Sequence, residues 1–414
     1  MAEMQEVLDP YSIPLDDIDV SDPQLYENDA HWPYFERLRK EAPIHYCKDS
    51  LFGPYWSITR YADIMDIEKD TQTYSSFPAV VMGDQDPEFT VEQFIAMDPP
   101  KHDSQRMAVT AAVSPKSLSQ LEPVIRRRVA GIMSELPVGE QFDWVERVSI
   151  ELTTQMLATL FDFPFERRSK LTFWSDMATS SEEIAGDDSV SAADRQAVLQ
   201  ECLSEFTAIW QERAHQSPVG KTDFITLMAH SSAFANMDPM EFLGNLLLLI
   251  VGGNDTTRNS ISGGVLMLNE NPAEYEKLCL DQSLIPSMVS EIIRFQTPVM
   301  HMRRTATKDT QFKGHNIKAG DKVILWYVSA NRDEAKIMRP DEFIIDRQGV
   351  RNHISFGFGV HRCMGNRLAE MQLRIVWEEI LKRFRRGEVV DLPKRLKSNF
   401  IRGITELPVV LIPH

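Results

Sequence analysis

The chain has 414 residues, 43% of them hydrophobic, and a formal net charge of −17. That composition supports a large buried core and excludes intrinsic disorder, and the acidity argues against nucleic acid and anionic membrane surfaces as partners. The four cysteines, Cys47, Cys202, Cys279 and Cys363, form no Cys-x-x-Cys pair, so neither a disulfide framework nor a zinc site is expected.

The opening MAEMQEVLDPYSIPLDD is acidic and contains prolines. It lacks the basic segment and apolar run of a secretion signal, so a cytoplasmic protein is expected, and residues 1–30 read as irregular. A helix is expected over His31–Glu41, stopping before Pro43. The run YCKDSLFGPYWSITRY, 46–61, sets aromatic and β-branched residues around Gly53-Pro54 and predicts a short hairpin. From about Pro100 to Asn271 helical patterns dominate. The best-defined helix has Asp238 as N-cap, Pro239 in the first position and Glu241 completing a capping box. It runs to about Asn269 and is stopped by Asn271-Pro272. Its longest apolar stretch, Phe242 to Val251, is too short to span a bilayer. The run LLLLIV makes it apolar nearly all round, which predicts burial. Strands are expected again over Thr310–Leu325 and Asn399–Ile412. The sum is a mainly α chain with minor β, one domain over 1–414, crossed by a long central helix.

Two segments break local rules. In the middle of the buried helix sits GGNDTT, Gly252 to Thr257, where two glycines and several polar groups oppose helix stability. Such breaks concentrate at functional sites. The second is FGFGVHRCMGNRLAEMQLRIVWEEILKRF, Phe356 to Phe384. Cys363 lies between Gly359 and Gly365, just before a helix whose apolar face is Leu368, Met371, Ile375, Ile380 and Phe384. Free N–H groups and the helix dipole stabilise a thiolate there. Gly359 allows a tight turn beneath a planar ligand, Gly365 allows close backbone approach, and Phe356 shields the sulfur from water.

The spacing Phe-x-x-Gly-x-His-x-Cys-x-Gly resembles the haem-binding signature of the cytochrome P450 superfamily. Further segments occur in the expected order. Glu291-Ile-Ile-Arg294 is similar to the family's Glu-x-x-Arg pair, which implies a buried structural triad with Arg347. GGNDTT is similar to its oxygen-activation motif; the resemblance implies Asp255 as the acid and Thr256 as the hydroxyl beside dioxygen. DPPKHDSQR and MRRTA imply that His102, Arg106 and Arg304, together with His361, hold the propionates of haem b, with Cys363 as iron ligand. The implied fold is the haem-thiolate one, a long helix over the haem with a small β-rich portion.

The paired Asp255 and Thr256 favour a monooxygenase over a haem-binding sensor, which needs no proton delivery, and over peroxide-using relatives that lack the pair. No flavin or iron–sulfur segment follows Phe384, so electrons are expected from a [2Fe-2S] ferredoxin with a separate ferredoxin reductase, and O2 is the co-substrate. An exposed basic face is expected to receive that ferredoxin: Arg126, Arg127, Arg128, Arg362, Arg367, Arg374, Lys382, Arg383, Arg385 and Arg386. The segments IAMDPPKHD, GGNDTTRNS, SEIIRFQTP, HMRRTA and NRLAEMQL resemble the bacterial alkane-hydroxylase branch. That implies a monomer oxidising the terminal carbon of medium-chain alkanes, fatty acids or similar apolar molecules; a terpene substrate is the alternative. The implied pocket walls are Val80, Val81, Met82, Leu249, Gly253, Val299, Met300, Met302 and Phe400.

Overall fold

A computed structural model of the chain describes residues 8–87, 89–180 and 190–414. Residues 1–7, the start of the stretch read as irregular, lie outside the described residues. The rest of that stretch is more ordered than its sequence suggests. Asp9 and Asp22 accept from Tyr11 N at 3.0 Å and Gln24 N at 2.8 Å, capping short helical turns at Pro10–Ser12 and Pro23–Glu27.

Helix α1 (Trp32–Glu41) leads into strands β1 (Ile44–Cys47) and β2 (Tyr55–Ile58). These pair antiparallel, and the turn between them uses Gly53 at φ +75°. They join β3 (Tyr74–Ser75), β4 (His301–Ala306) and β5 (Lys322–Trp326) in one sheet of order β1-β2-β5-β4-β3. The expected strand run over Thr310–Leu325 resolves into a hairpin, Thr310–Phe312 with His315–Ile317, followed by β5.

The helical part contains α2 (Lys101–Thr110), α3 (Ser169–Thr179), α4 (Ala192–Ala214), α5 (Pro239–Glu270), α6 (Ile285–Gln296) and α7 (Asn366–Arg383). Helix α5 has 32 residues, a length of about 48 Å at ~1.5 Å per residue. Asp238 caps it, accepting from Met240 N at 2.7 Å and Glu241 N at 2.9 Å. Glu241 does not close the capping box. Its carboxylate instead accepts from Lys101 Nζ at 2.9 Å and from Gln105, tying the start of α5 to α2. Leu243, Leu246 and Ile250 anchor α5 in the main core.

Helix α7 buries Leu368, Ile375 and Ile380 against the same core. It ends at Arg383, so Phe384 is not its last apolar contact but the first residue of a strand, Phe384–Val389. That strand pairs with Pro408–Pro413, which also pairs with Gln141–Asp143.

Candidate functional site

The loop before α7 is shaped by close approach. Gly357 and Gly359 sit at φ +66° and +69°, and a Cβ on Gly359 would lie 2.6 Å from the Glu68 carbonyl oxygen. Only glycine meets both demands. Cys363 N donates to Phe356 O at 2.8 Å, closing the loop. The Cys363 side chain lies deep in the protein yet faces open space, because it forms part of the wall of a cavity of about 370 Å³. Burial pushes its thiol pKa up. The Gly365 and Asn366 N–H groups and the guanidinium groups of Arg106 and Arg362 oppose that shift. A thiol held this way becomes a thiolate once a cation compensates the burial.

His102, Arg106, Arg304 and His361, drawn from four separate segments, all line this cavity near the cysteine. The rings of His102 and His361 are 4.2 Å apart. His102 Nδ1 meets Asp103 Oδ1 at 2.8 Å, and His361 Nε2 meets Ser76 Oγ at 2.9 Å. The other nitrogen of each, His102 Nε2 and His361 Nδ1, is buried without a partner. Burial lowers both imidazoles; in His361, with Arg304, His102 and Arg106 adding to it, the pKa is down to about 2. Arg304 is held from behind by Glu68, at 3.1 Å, and Glu68 is in turn bonded by the Tyr327 hydroxyl. Arg106 bonds the Arg362 carbonyl. Two orphaned ring nitrogens beside two guanidinium groups make a receptor for paired carboxylates. With the facing sulfur and the glycine cradle, these residues fit haem: Cys363 would hold the iron, and the two guanidinium groups and two imidazoles its propionates. Sequence reasoning missed Ser76, Glu68 and Tyr327, whose bonds to that set and to one another each span 236 residues or more of chain; no local pattern marks them.

Opposite the cysteine, α5 presents Leu249, Gly252, Gly253, Thr256, Thr257 and Ser260 to the cavity. That is one helical face at i, i+3, i+4, i+7. A Cβ on Gly252 would meet nothing within 4 Å, whereas one on Gly253 would meet Leu157 at 2.8 Å. The helix runs unbroken through GGNDTT, and side chains there and just after it bond carbonyls of the preceding turn. Thr256 Oγ1 donates to Gly252 O at 2.8 Å, and Asn259 Nδ2 donates to Asp255 O at 2.8 Å.

Asp255 does not share the face of Thr256. One residue is about 100° of helix, and that turns Asp255 away from the cavity onto α3. Ser175 Oγ donates to Asp255 Oδ2 at 3.0 Å, and Arg258 pairs with Oδ1 at 2.6 Å. Arg258 also pairs with the half-exposed Asp176 at 3.0 Å. Burial raises the Asp255 carboxyl, and Arg258 opposes the shift. Sequence reasoning missed all three partners; of them only Arg258, three residues on in the same helix, falls within a local pattern.

The expected walls divide. Val80, Val81, Leu249, Gly253, Val299, Met302 and Phe400 reach the cavity. Met82 and Met300 do not: both are fully buried in a separate cluster with Tyr26, Phe35 and Trp326. Backbone bonds tie these segments together, Arg303 N to Val80 O and Met300 N to Phe400 O, at 2.8 and 2.9 Å. Behind the site, Glu291 is fully buried and accepts from Arg294 at 2.7 and 2.8 Å and from Arg347 at 3.1 Å. The three residues expected as a triad therefore meet.

The expected basic face is partly neutralised. Arg126 and Arg374 share Glu122 and Glu378, Arg383 pairs with Glu379, and Arg128 turns inward to the Gln155 carbonyl. Arg127, Arg362, Arg367, Lys382 and Arg385 remain exposed, and Arg386 is half-buried. Among the described residues no helix is long and apolar enough to cross a membrane.

The sequence matches the family model described as Cytochrome P450 over residues 51–407. It is 34% identical to a linalool 8-monooxygenase of Pseudomonas putida, covering 95% of this chain and 99% of that protein. It is 31% identical to a methyl-branched lipid omega-hydroxylase of Mycobacterium tuberculosis, over 97% and 96%. Among solved structures it is similar to cytochrome P450-153 from Novosphingobium aromaticivorans, at 45% identity and a TM-score of 0.88, covering 95% of this chain and 99% of that one.

Proposed function

The chain belongs to the cytochrome P450 family and is a haem-dependent monooxygenase; from that premise we propose that it hydroxylates the terminal carbon of a medium-chain linear apolar substrate. The observation that carries this reading is the cavity itself. Its walls are mostly apolar, with Val80, Val81, Val299, Met302 and Phe400 joining the α5 face. Terminal C–H bonds are stronger than internal ones, so selectivity for the end of a chain requires walls that present only the methyl group. The omega-hydroxylase and the linalool 8-monooxygenase among its relatives support the reading. The second of these also favours a terpene as the alternative substrate.

Haem, when bound, supplies the redox-active iron at which dioxygen is activated. The rest of the work falls to side chains. The Cys363 sulfur would hold the iron and donate charge to it, beside Phe356, which also lines the cavity. His102, Arg106, Arg304 and His361 fix the orientation of the group. Thr256 offers a hydroxyl to the reaction space, with Gly252 leaving room beside it. Asp255, linked through Arg258 to Asp176, takes up protons from the surface side of α5 and passes them toward the Thr256 turn. Glu291, Arg294 and Arg347 hold the loop behind the site in register. All of this lies within one functional unit over 1–414.

Electrons come from a [2Fe-2S] ferredoxin served by a separate reductase, docking where Arg127, Arg362, Arg367 and Lys382 stand exposed on an otherwise acidic protein. Chromatography of the products from an alkane and fatty-acid chain-length series tests the substrate reading. Terminal alcohols with a chain-length optimum are expected, since one methylene is worth about 1–3 kcal/mol in such a pocket. Predominantly internal alcohols would overturn it.

A further inference from the structure

The cavity carries two charged side chains that the chemistry above does not use, Asp86 and Arg195. The basic residues near Cys363 are His102, Arg106, Arg304 and His361, and each has a stated task. Arg195 also lines the cavity, from a different helix, α4. Leu199 lines it too, one turn further along the same face. Leu199 is buried and Arg195 only half-buried, so this face of α4 runs from the rim of the cavity at Arg195 toward its interior at Leu199. Arg195 makes no ion pair with any described carboxylate; its guanidinium lies over the Phe89 ring at 6.0 Å from the centroid.

The other polar groups on that rim are committed. Gln85 donates from Nε2 to Pro78 O at 3.1 Å and accepts at Oε1 from Val91 N at 2.8 Å. Asp86 stands on the same rim and is itself engaged. Below the rim the walls are Phe89, Val91, Leu199, Phe224 and Leu247. A partly shielded cation at the open end of an apolar channel, on a protein of net charge −17, recognises an anionic group attached to an apolar tail.

We propose that Arg195 anchors the carboxylate of a medium-chain linear fatty acid at the mouth of the cavity, so that the chain enters tail-first and offers its methyl end to the reaction space. This rests on the reading of the site as a terminal hydroxylase and narrows its substrate to chains with one anionic end. An unsubstituted alkane has two equivalent ends and nothing to hold at the rim. A fatty acid has one end fixed by charge, and the other is then delivered at a depth set by chain length. Phe89, with the guanidinium over its ring, covers part of that group from water.

The test compares dodecanoate, its methyl ester and dodecane by substrate-induced spectral titration of the haem-loaded protein, wild type against Arg195→Ala, Arg195→Lys and Arg195→Glu. Arg195 is half exposed, so the variants should fold; an unchanged carbon-monoxide difference spectrum and unfolding midpoint check that. For Arg195→Ala, the Kd for dodecanoate should rise about tenfold, the loss of a charge-assisted hydrogen-bonded contact. The ester and the alkane should change less than twofold. Arg195→Lys should restore part of the loss, Arg195→Glu should deepen it, and added salt should weaken only the acid. A dodecanoate Kd within twofold of wild type in Arg195→Ala, an equal loss for all three ligands, or no binding of dodecanoate to the wild type would each overturn the anchor. The hydroxylation position on dodecane judges the other reading separately. Internal alcohols would sink terminal oxidation whatever Arg195 does, and terminal alcohols with an indifferent Arg195 would sink the anchor alone.

Discussion

The guanidinium of Arg258 reaches back one helical turn and holds the Asp255 carboxylate at 2.6 Å, on the side of α5 that faces away from the cavity. The acid next in sequence to Thr256 is therefore coupled to the surface through Arg258 and Asp176 rather than directly to the reaction space. Burial raises the Asp255 carboxyl and Arg258 restrains it. Replacing Arg258 by Leu removes that restraint, so the carboxyl keeps its proton to higher pH. The acidic limb of the pH–rate profile should move upward, and Asp255→Asn should slow turnover on the order of a hundredfold with a larger solvent isotope effect. Thr256→Ala should consume reductant and oxygen while diverting flux to peroxide. Unchanged profiles and unchanged coupling would remove these residues from proton delivery.

Among the described residues, Cys363 is the cysteine that lines the cavity. Cys363→Ser offers the iron a weaker, harder ligand. The carbon-monoxide adduct of the reduced protein should lose its red-shifted Soret band, and monooxygenase activity should go with it. A variant that kept the band would show that another residue ligates the iron.

Docking of an acidic ferredoxin on Arg127, Arg362, Arg367 and Lys382 predicts that the rate of electron transfer falls as ionic strength rises, because the Debye length shrinks to about 8 Å at 0.15 M. Arg127→Glu and Arg362→Glu should lower the rate at low salt, whereas Arg126→Glu should do less to steering, since Arg126 is already neutralised by Glu122 and Glu378. Stopped-flow reduction across a salt series measures both. A flat salt dependence would refute the patch.

His31 is fully buried between Tyr26, Trp32 and Phe35. Burial, and then Arg402, hold its imidazole neutral, from an ordinary value of 6.5 down to about 3. Between those limits the unfolded chain binds a proton that the folded chain refuses. The contribution is thus fully present above pH 6.5 and is lost as pH falls toward 3, at up to about 1.4 kcal/mol per pH unit. His31→Phe should flatten the acid limb of the stability curve and leave stability at neutral pH little changed. Denaturant titrations at a series of pH values read this directly, and an unaltered acid limb would exclude His31 as a source.

The sequence by itself determined the elements whose signals are local. Asp238-Pro239 starts the long helix, Asn271-Pro272 ends it, and Gly53 turns the first hairpin, because caps, ring-fixed φ and positive φ act within a few residues. The glycine-flanked Cys363 and the fouling of α5 by GGNDTT were legible for the same reason. Tertiary structure decided what depends on contacts distant in the chain. It sent Glu241 to Lys101 rather than to its own helix start, placed Ser76, Glu68 and Tyr327 behind the cationic set, and withdrew Met82 and Met300 into another core. It also turned Asp255 from Thr256 onto Ser175. Two neighbours in a helix are bound to point about 100° apart, but which of them meets the cavity is fixed by the packing of α5 against α3, and no residue near either one encodes that choice.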